Sequence, residues 1–346
     1  MKAFFVFLLV GLLTAAVELR AQYESPGLGP DIRLRSMAAV ERPWKLWVRA
    51  FAGHDDNVAQ IGEATTFSGE RGSDFIGMTV EGSAWVVKEA WIAGVALRFD
   101  QMIYTEEKQS AAPPGRYATD ANDFNFTVWN PAVFIGYQFK NAPLPLLAKV
   151  VYDYRSEAAE TEGGWFQTLA AGLEAQLAPG WTAELIYAHG WDDHGVTYAF
   201  NPGLNDRDGQ RDGVTLRTAY LFNQKRSRVS LGYGVLKNDS DGPNFAYEGQ
   251  SVNLRVESVL VGPLFGAVEF GYGKRDYING FSSPSPLIPP PGRTKMDLYS
   301  FGLQLLWKLS RQWSVDTFWN YTSYEADSSV FDSDRHIVGT GIRFDF

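Results

Sequence analysis

Beyond Pro43 apolar side chains recur at every second position almost without pause, and this period of two constrains the fold more than any other feature. Val252, Leu254, Val256, Ser258 and Leu260 alternate with Ser251, Asn253, Arg255, Glu257 and Val259. Ala148, Val150, Tyr152 and Tyr154 alternate in the same way with Lys149, Val151, Asp153 and Arg155. Successive side chains on a strand point to opposite faces, so one face is oily and the other carries charge. No segment beyond residue 40 combines a 3.6-residue repeat with helix caps. The pattern predicts an all-β chain.

Fourteen strands are predicted, near 44–53, 74–87, 90–104, 123–140, 146–156, 165–177, 181–190, 213–223, 227–237, 249–260, 264–277, 296–308, 313–325 and 334–346. Connections alternate between short ones (88–89, 178–180, 261–263, 309–312) and long ones (54–73, 105–122, 191–212, 278–295). Such alternation gives one tight rim and one decorated rim, as in a transmembrane antiparallel up-and-down β-barrel. Twelve to sixteen strands are compatible with the spacing. A soluble β-sandwich also alternates. Against it stand strands long enough to cross a bilayer at a tilt, and aromatics at strand ends: Trp85, Trp91, Trp165, Trp181, Trp307 and Trp313. Three Trp pairs drawn from these are expected to flank short turns at the periplasmic interface. Asn130-Pro131 is read as a bulge that reverses the facing of the fourth strand, with Phe124, Phe126 and Val128 outward before it and Val133, Ile135, Tyr137 and Phe139 outward after it.

Mean hydropathy is −0.19, far too polar for a helical membrane protein. The one apolar run lies at Ala3–Leu13, after Lys2, and has the layout of a secretory signal peptide with Ala21 as the cleavage position. A single membrane anchor is the competing reading, for which the run is short. The expected organisation is a signal peptide at 1–21, a short periplasmic segment at 22–43 and an outer-membrane barrel at 44–346. Loss of Lys2, Glu18 and Arg20 with the leader moves the net charge from −9 to −10. An acidic chain with dispersed bases makes a poor nucleic-acid binder. With no Cys in the chain, disulfide and Cys–metal chemistry drop out.

Taking the more apolar set of each strand as lipid-facing leaves a lumen set of Lys45, Arg49, Glu81, Arg98, Lys149, Asp153, Arg155, Glu174, Glu184, Arg217, Arg255, Glu257, Glu269, Lys308, Asp316 and Arg343. Lipid exposure of such groups at mid-membrane would cost about 2–4 kcal/mol each. They form either a constriction that filters solutes or a salt-bridged packing with no open channel. The turn at 178–180 sets Glu174 opposite Glu184, and the turn at 261–263 sets Arg255 opposite Glu269. The Glu–Glu pair is either a cation site or is bridged by Lys149 or Arg217. No nucleophile motif surrounds His54, His189, His194 or His336, although Ser333 lies near the last, so no enzyme activity is expected. Asp192, Asp193, His194, Asp206, Asp208 and Asp212 make an acidic loop without the spacing of a calcium loop, and no metal or cofactor is expected. Pro284, Pro286 and Pro289–Pro291 read as a stiff extended run outside the strands.

Ile342, Phe344 and Phe346 alternate up to a terminal Phe, which resembles the C-terminal assembly signature of Gram-negative outer-membrane barrels. The resemblance implies docking of residues 334–346 by the barrel-assembly machinery and location in the cell outer membrane. His54–Val58 and Tyr299–Leu303, leading into Trp307, are similar to the barrel domains of surface lipoprotein assembly modifiers and related repeat-linked barrels. Those proteins carry a periplasmic repeat domain, for which residues 22–43 are too few. The expected function is a porin-like channel passing a small solute, in contact with outer-membrane lipid. A secretion or assembly barrel with a periplasmic partner, or a surface adhesin acting through its loops, are the alternatives. Monomer and trimer both stay open.

Overall fold

A computed structural model describes residues 43–57, 72–105, 125–139, 141–159, 163–194, 207–224, 226–242, 245–281, 293–327 and 332–346. The leader, most of the segment at 22–43, Asn205-Asp206 and the proline run at 284–291 lie outside the described residues. Fourteen strands run β1 Trp44–Asp55, β2 Ser73–Lys88, β3 Trp91–Tyr104, β4 Phe126–Phe139, β5 Leu146–Ala159, β6 Gly164–Ala178, β7 Trp181–His194, β8 Gly209–Phe222, β9 Ser227–Ser240, β10 Tyr247–Val261, β11 Leu264–Phe281, β12 Arg293–Lys308, β13 Trp313–Ala326 and β14 Ser333–Asp345. Each pairs antiparallel with its sequence neighbours, and β1 pairs with β14 to close the barrel. Closure leaves no strand edge, so every wall position can satisfy its backbone groups without water. Among the described residues no helix is long and apolar enough to cross a membrane. The outward residues Val95, Leu97, Val133, Ile135, Leu169, Leu185, Leu216 and Leu231 are exposed, which makes the outer surface a lipid-facing one.

The short turns owe their geometry to particular residues. Gly180 and Gly262 have φ of +84° and +53°, a region L side chains rarely adopt. In the first of these hairpins a two-residue turn, Pro179-Gly180, is followed back along β6 by a register shift between Gln176 and Ala178. That extra residue preserves the parity of a three-residue turn, so Glu174 and Glu184 are register partners. Arg255 and Glu269 pair likewise across β10 and β11.

Two aromatic belts bound the lipid-facing wall. Trp44, Trp91, Trp181, Trp307 and Trp313 point outward near the tight rim. Toward the other rim one diagonal contact recurs in five hairpins. Tyr152 donates to Gln167, Tyr187 to Asp212, Tyr233 to Gln250, Tyr272 to Asp297 and Tyr321 to Asp334, over 2.6–3.2 Å. In every case the acceptor lies two residues beyond the register partner of the tyrosine, as with Tyr187 opposite Val214 and Tyr321 opposite His336. These phenols sit where amphipathic rings belong, with the ring in lipid and the hydroxyl toward the headgroups.

Three expectations are corrected. Trp85 faces inward, packed with Ile92, Phe134, Leu147 and Val151, and does not belong to a belt. Trp165 opens β6 at the loop-bearing rim and so does not flank the turn beside Trp181. At Asn130-Pro131 no bulge forms: Trp129 pairs with Ser156 and Ala132 with Asp153 in one unbroken register. Pro131 has no N–H to give, and the Asn130 side-chain amide donates instead to the Tyr154 carbonyl at 3.1 Å. Phe126 and Val128 therefore face the lumen on the same side as Phe134, since parity never reverses.

Candidate functional site

Every residue of the predicted lumen set shares the inward parity of its strand, and the register brings these residues into a few ion-paired groups. On β5–β8, Lys149 lies 3.5 Å from Glu174 and in contact with Glu184, which Arg217 approaches at 3.7 Å. The two carboxylates are thus bridged by cations. The Lys149 and Glu174 side chains are only 4% and 5% exposed.

On β10 and β11 the situation is wetter. Arg255 donates to Glu257 at 3.0 Å and to Glu269 at 2.9 Å, and Arg228 stands 3.7 Å from Glu257. Glu257 and Glu269 keep 37% and 40% of their side chains exposed. Glu81 is 43% exposed and stands 3.8 Å from Arg98, whose main partner is Asp100 at 2.6 Å. Arg155 pairs with Glu157 and lies over the Phe166 ring; Asp153 stands opposite Thr168. Arg343 pairs with Asp345 and lies 4.3 Å from the centre of the Trp47 ring. Lys45 and Lys308 sit at the tight rim over the Trp85 and Phe265 rings.

Two contacts strap the closure of the barrel from inside. Arg49 on β1 reaches over β14 to Asp316 on β13 through bonds of 2.9 and 2.6 Å. It can do so because Gly341 lies beneath: a Cβ there would fall 2.8 Å from Arg49 Nε and 3.0 Å from Asp316 Oδ1. Near the loop-bearing rim Arg335 on β14 donates to fully buried Asp55 on β1 at 3.0 Å, and Tyr104 on β3 donates to the same carboxylate at 2.8 Å. A bidentate guanidinium–carboxylate pair out of water is among the strongest polar contacts available.

Asp55, Asp100, Glu157, Arg228, Arg335 and Asp345 were missing from the sequence-based set. Parity alone would have included Arg335, which stands eight residues, an even number, before Arg343. The acidic loop at 191–212 is also corrected, because β7 runs to His194 and β8 starts at Gly209. Asp192 pairs with Arg211 at 2.6 Å on the inner face, and Asp212 binds His189 and Tyr187 on the outer face. Polar residues carry the alternation on past the last apolar pair. His336 and Ser333 differ in parity and lie on opposite faces, with His336 against Trp319.

No family model matches this sequence, and no curated protein matches it. Solved structures do. A TodX monoaromatic hydrocarbon channel mutant is 10% identical over 87% of this chain and 89% of its own, with a TM-score of 0.48. OpdK of Pseudomonas aeruginosa with vanillate is 12% identical over 88% and 99%, with a TM-score of 0.39. The outer-membrane channel DcaP of Acinetobacter baumannii is 12% identical over 88% and 96%, with a TM-score of 0.42. What they share with this chain is barrel architecture; the reading of the lumen rests on its own residues.

Proposed function

We propose that this protein is an exported outer-membrane channel that passes small solutes passively. Closed antiparallel barrels with an apolar outer belt and a charged inner face are outer-membrane structures. The observation that carries the reading is the partial exposure of Glu81, Glu257 and Glu269 on the inner face of a closed wall, which means water stands inside the barrel. About eight strands fill their interior with side chains and about sixteen leave an aqueous channel, and fourteen lies toward the open end of that range. The lumen set holds nine bases and seven acids. Asp100, Glu157 and Asp345 add three acids to it and Arg228 adds one base, so these inner residues carry no net charge.

Export follows from the leader: residues 1–21 are removed, and residues 334–346 are received by the barrel-assembly machinery. Purified protein added to a planar bilayer should give discrete current steps with only weak ion selectivity under a salt gradient. Silent bilayers from correctly folded protein would overturn the channel reading. N-terminal sequencing of the membrane-extracted protein should begin at Gln22.

A further inference from the structure

We propose that solutes cross this barrel off-centre, along the inner wall of β8–β11, and that this track favours small, net-neutral solutes bearing hydroxyl or amide groups. The inference rests on the channel reading and specifies its path and solute class. Inward positions there alternate glycine with short hydrogen-bonding side chains, in the cross-strand rows Thr215–Gly234–Ser251 and Gly232–Asn253–Gly271. At Gly232 a Cβ would meet no atom within 4 Å, so the lumen is open against that strand. Water reaches the lower end of the same wall at Glu257 and Glu269. The wall on one side is dry: Ala170, Ile186 and Ala188 on β6 and β7 are 2% exposed or less.

The wall also holds unmet hydrogen-bonding capacity. Thr215 Oγ1, which leans over Gly234, and Asn320 Nδ2, on the β13 flank, are buried and have no partner. Buried polar groups are almost always satisfied, so Thr215 on β8 and Asn320 on β13 each keep hydrogen-bonding capacity that the wall itself does not use. Charge on the track is cancelled locally, with Arg255 held between Glu257 and Glu269 and Arg228 beside Glu257. A neutral solute therefore meets hydrogen-bonding groups without a net field to oppose its lighter hydration.

The chain has no Cys, so single replacements report cleanly. In protein reconstituted into liposomes, Gly232→Cys should react with trimethylammonioethyl methanethiosulfonate about tenfold faster than Ala188→Cys, because only an exposed thiol is attacked readily. The modification should reduce single-channel conductance by about half in Gly232→Cys and leave Ala188→Cys unchanged. Equal labelling rates, or an unchanged conductance in labelled Gly232→Cys, would overturn the track. In liposome swelling, arabinose should enter faster than gluconate or arginine; equal or faster entry of either charged solute would overturn the solute class. Silent wild-type bilayers would instead remove the channel reading, and the labelling rates would still decide where the open wall lies.

Discussion

Lys149 sets the energetics at the scale of single residues. It stands between Glu174 and Glu184 in a part of the wall that solvent barely reaches. Removing both carboxylates as Glu174→Gln/Glu184→Gln would leave its ammonium buried without the two charges that face it. Breaking a buried pair in this way costs about 3–5 kcal/mol. The double variant should unfold at markedly lower urea, and adding Lys149→Met should restore most of the loss, since an apolar replacement has no charge to desolvate. An unchanged midpoint in the double variant would show that Lys149 finds water. Selectivity belongs to the exposed acids. Glu269→Gln leaves the wall intact, frees Arg255 of one partner and should shift the reversal potential toward anions. The shift should shrink near 1 M salt, where the screening length is about 3 Å. Alternation made the facing of each of these side chains legible in the sequence. Whether a charge is wet or dry was not, because it depends on strands brought alongside by closure.

At the scale of elements, β4 and β14 show where a period-two reading succeeds and where it misleads. All fourteen strands were legible because apolar and polar residues alternate along each. On β4 the reading failed because it equated apolar with lipid-facing, whereas Phe126 and Val128 face the lumen with Phe134. Rings can be accommodated there because glycines lie beside them: the Phe134 ring covers Gly94, where a Cβ would fall 2.5 Å from its Cζ atom. The seam strand β14 pairs with β1 over nine positions, against twelve between β1 and β2. Its inner straps compensate. Arg335→Gln removes the charge facing buried Asp55 and should lower the temperature at which the barrel loses its compact gel mobility. The C-terminal end of β14, at the tight rim, is held by the Phe346 N–H donating to the Leu46 carbonyl at 3.0 Å and by Phe344 packed against Trp313. Phe346→Asp should leave most of the protein unfolded and uninserted in cells. Normal amounts of heat-modifiable barrel from that variant would show that the terminal ring is dispensable.

For the whole molecule, the two aromatic belts and the alternation of connections fix one orientation. Along β13, Trp313 and Tyr321 are eight residues apart on the outer face. At about 3.4 Å per residue and a tilt near 40°, that separation spans about 21 Å along the membrane normal before side-chain length is added. An apolar band of about 25 Å is what an outer membrane requires. Short turns such as Pro179-Gly180 and Gly262-Pro263 lie beyond the tryptophan belt, whereas the tyrosine belt lies toward the strand ends at Asp55, Tyr104, His194 and Phe281. Outer-membrane barrels turn their short connections to the periplasm and their long ones outside, and the same orientation is expected here. An epitope inserted within residues 195–206 should bind antibody on intact cells. The same epitope between Ser310 and Arg311, in the turn closed by the Trp313 carbonyl, should bind only after permeabilisation. Fourteen is even, so the ends of β1 and β14 at Trp44 and Asp345 meet at the same periplasmic rim, and a C-terminal tag should behave like the Ser310 insertion. Surface reactivity at Ser310 together with protection at 195–206 would invert the barrel, placing the Glu257 and Glu269 end of the solute track outside the cell.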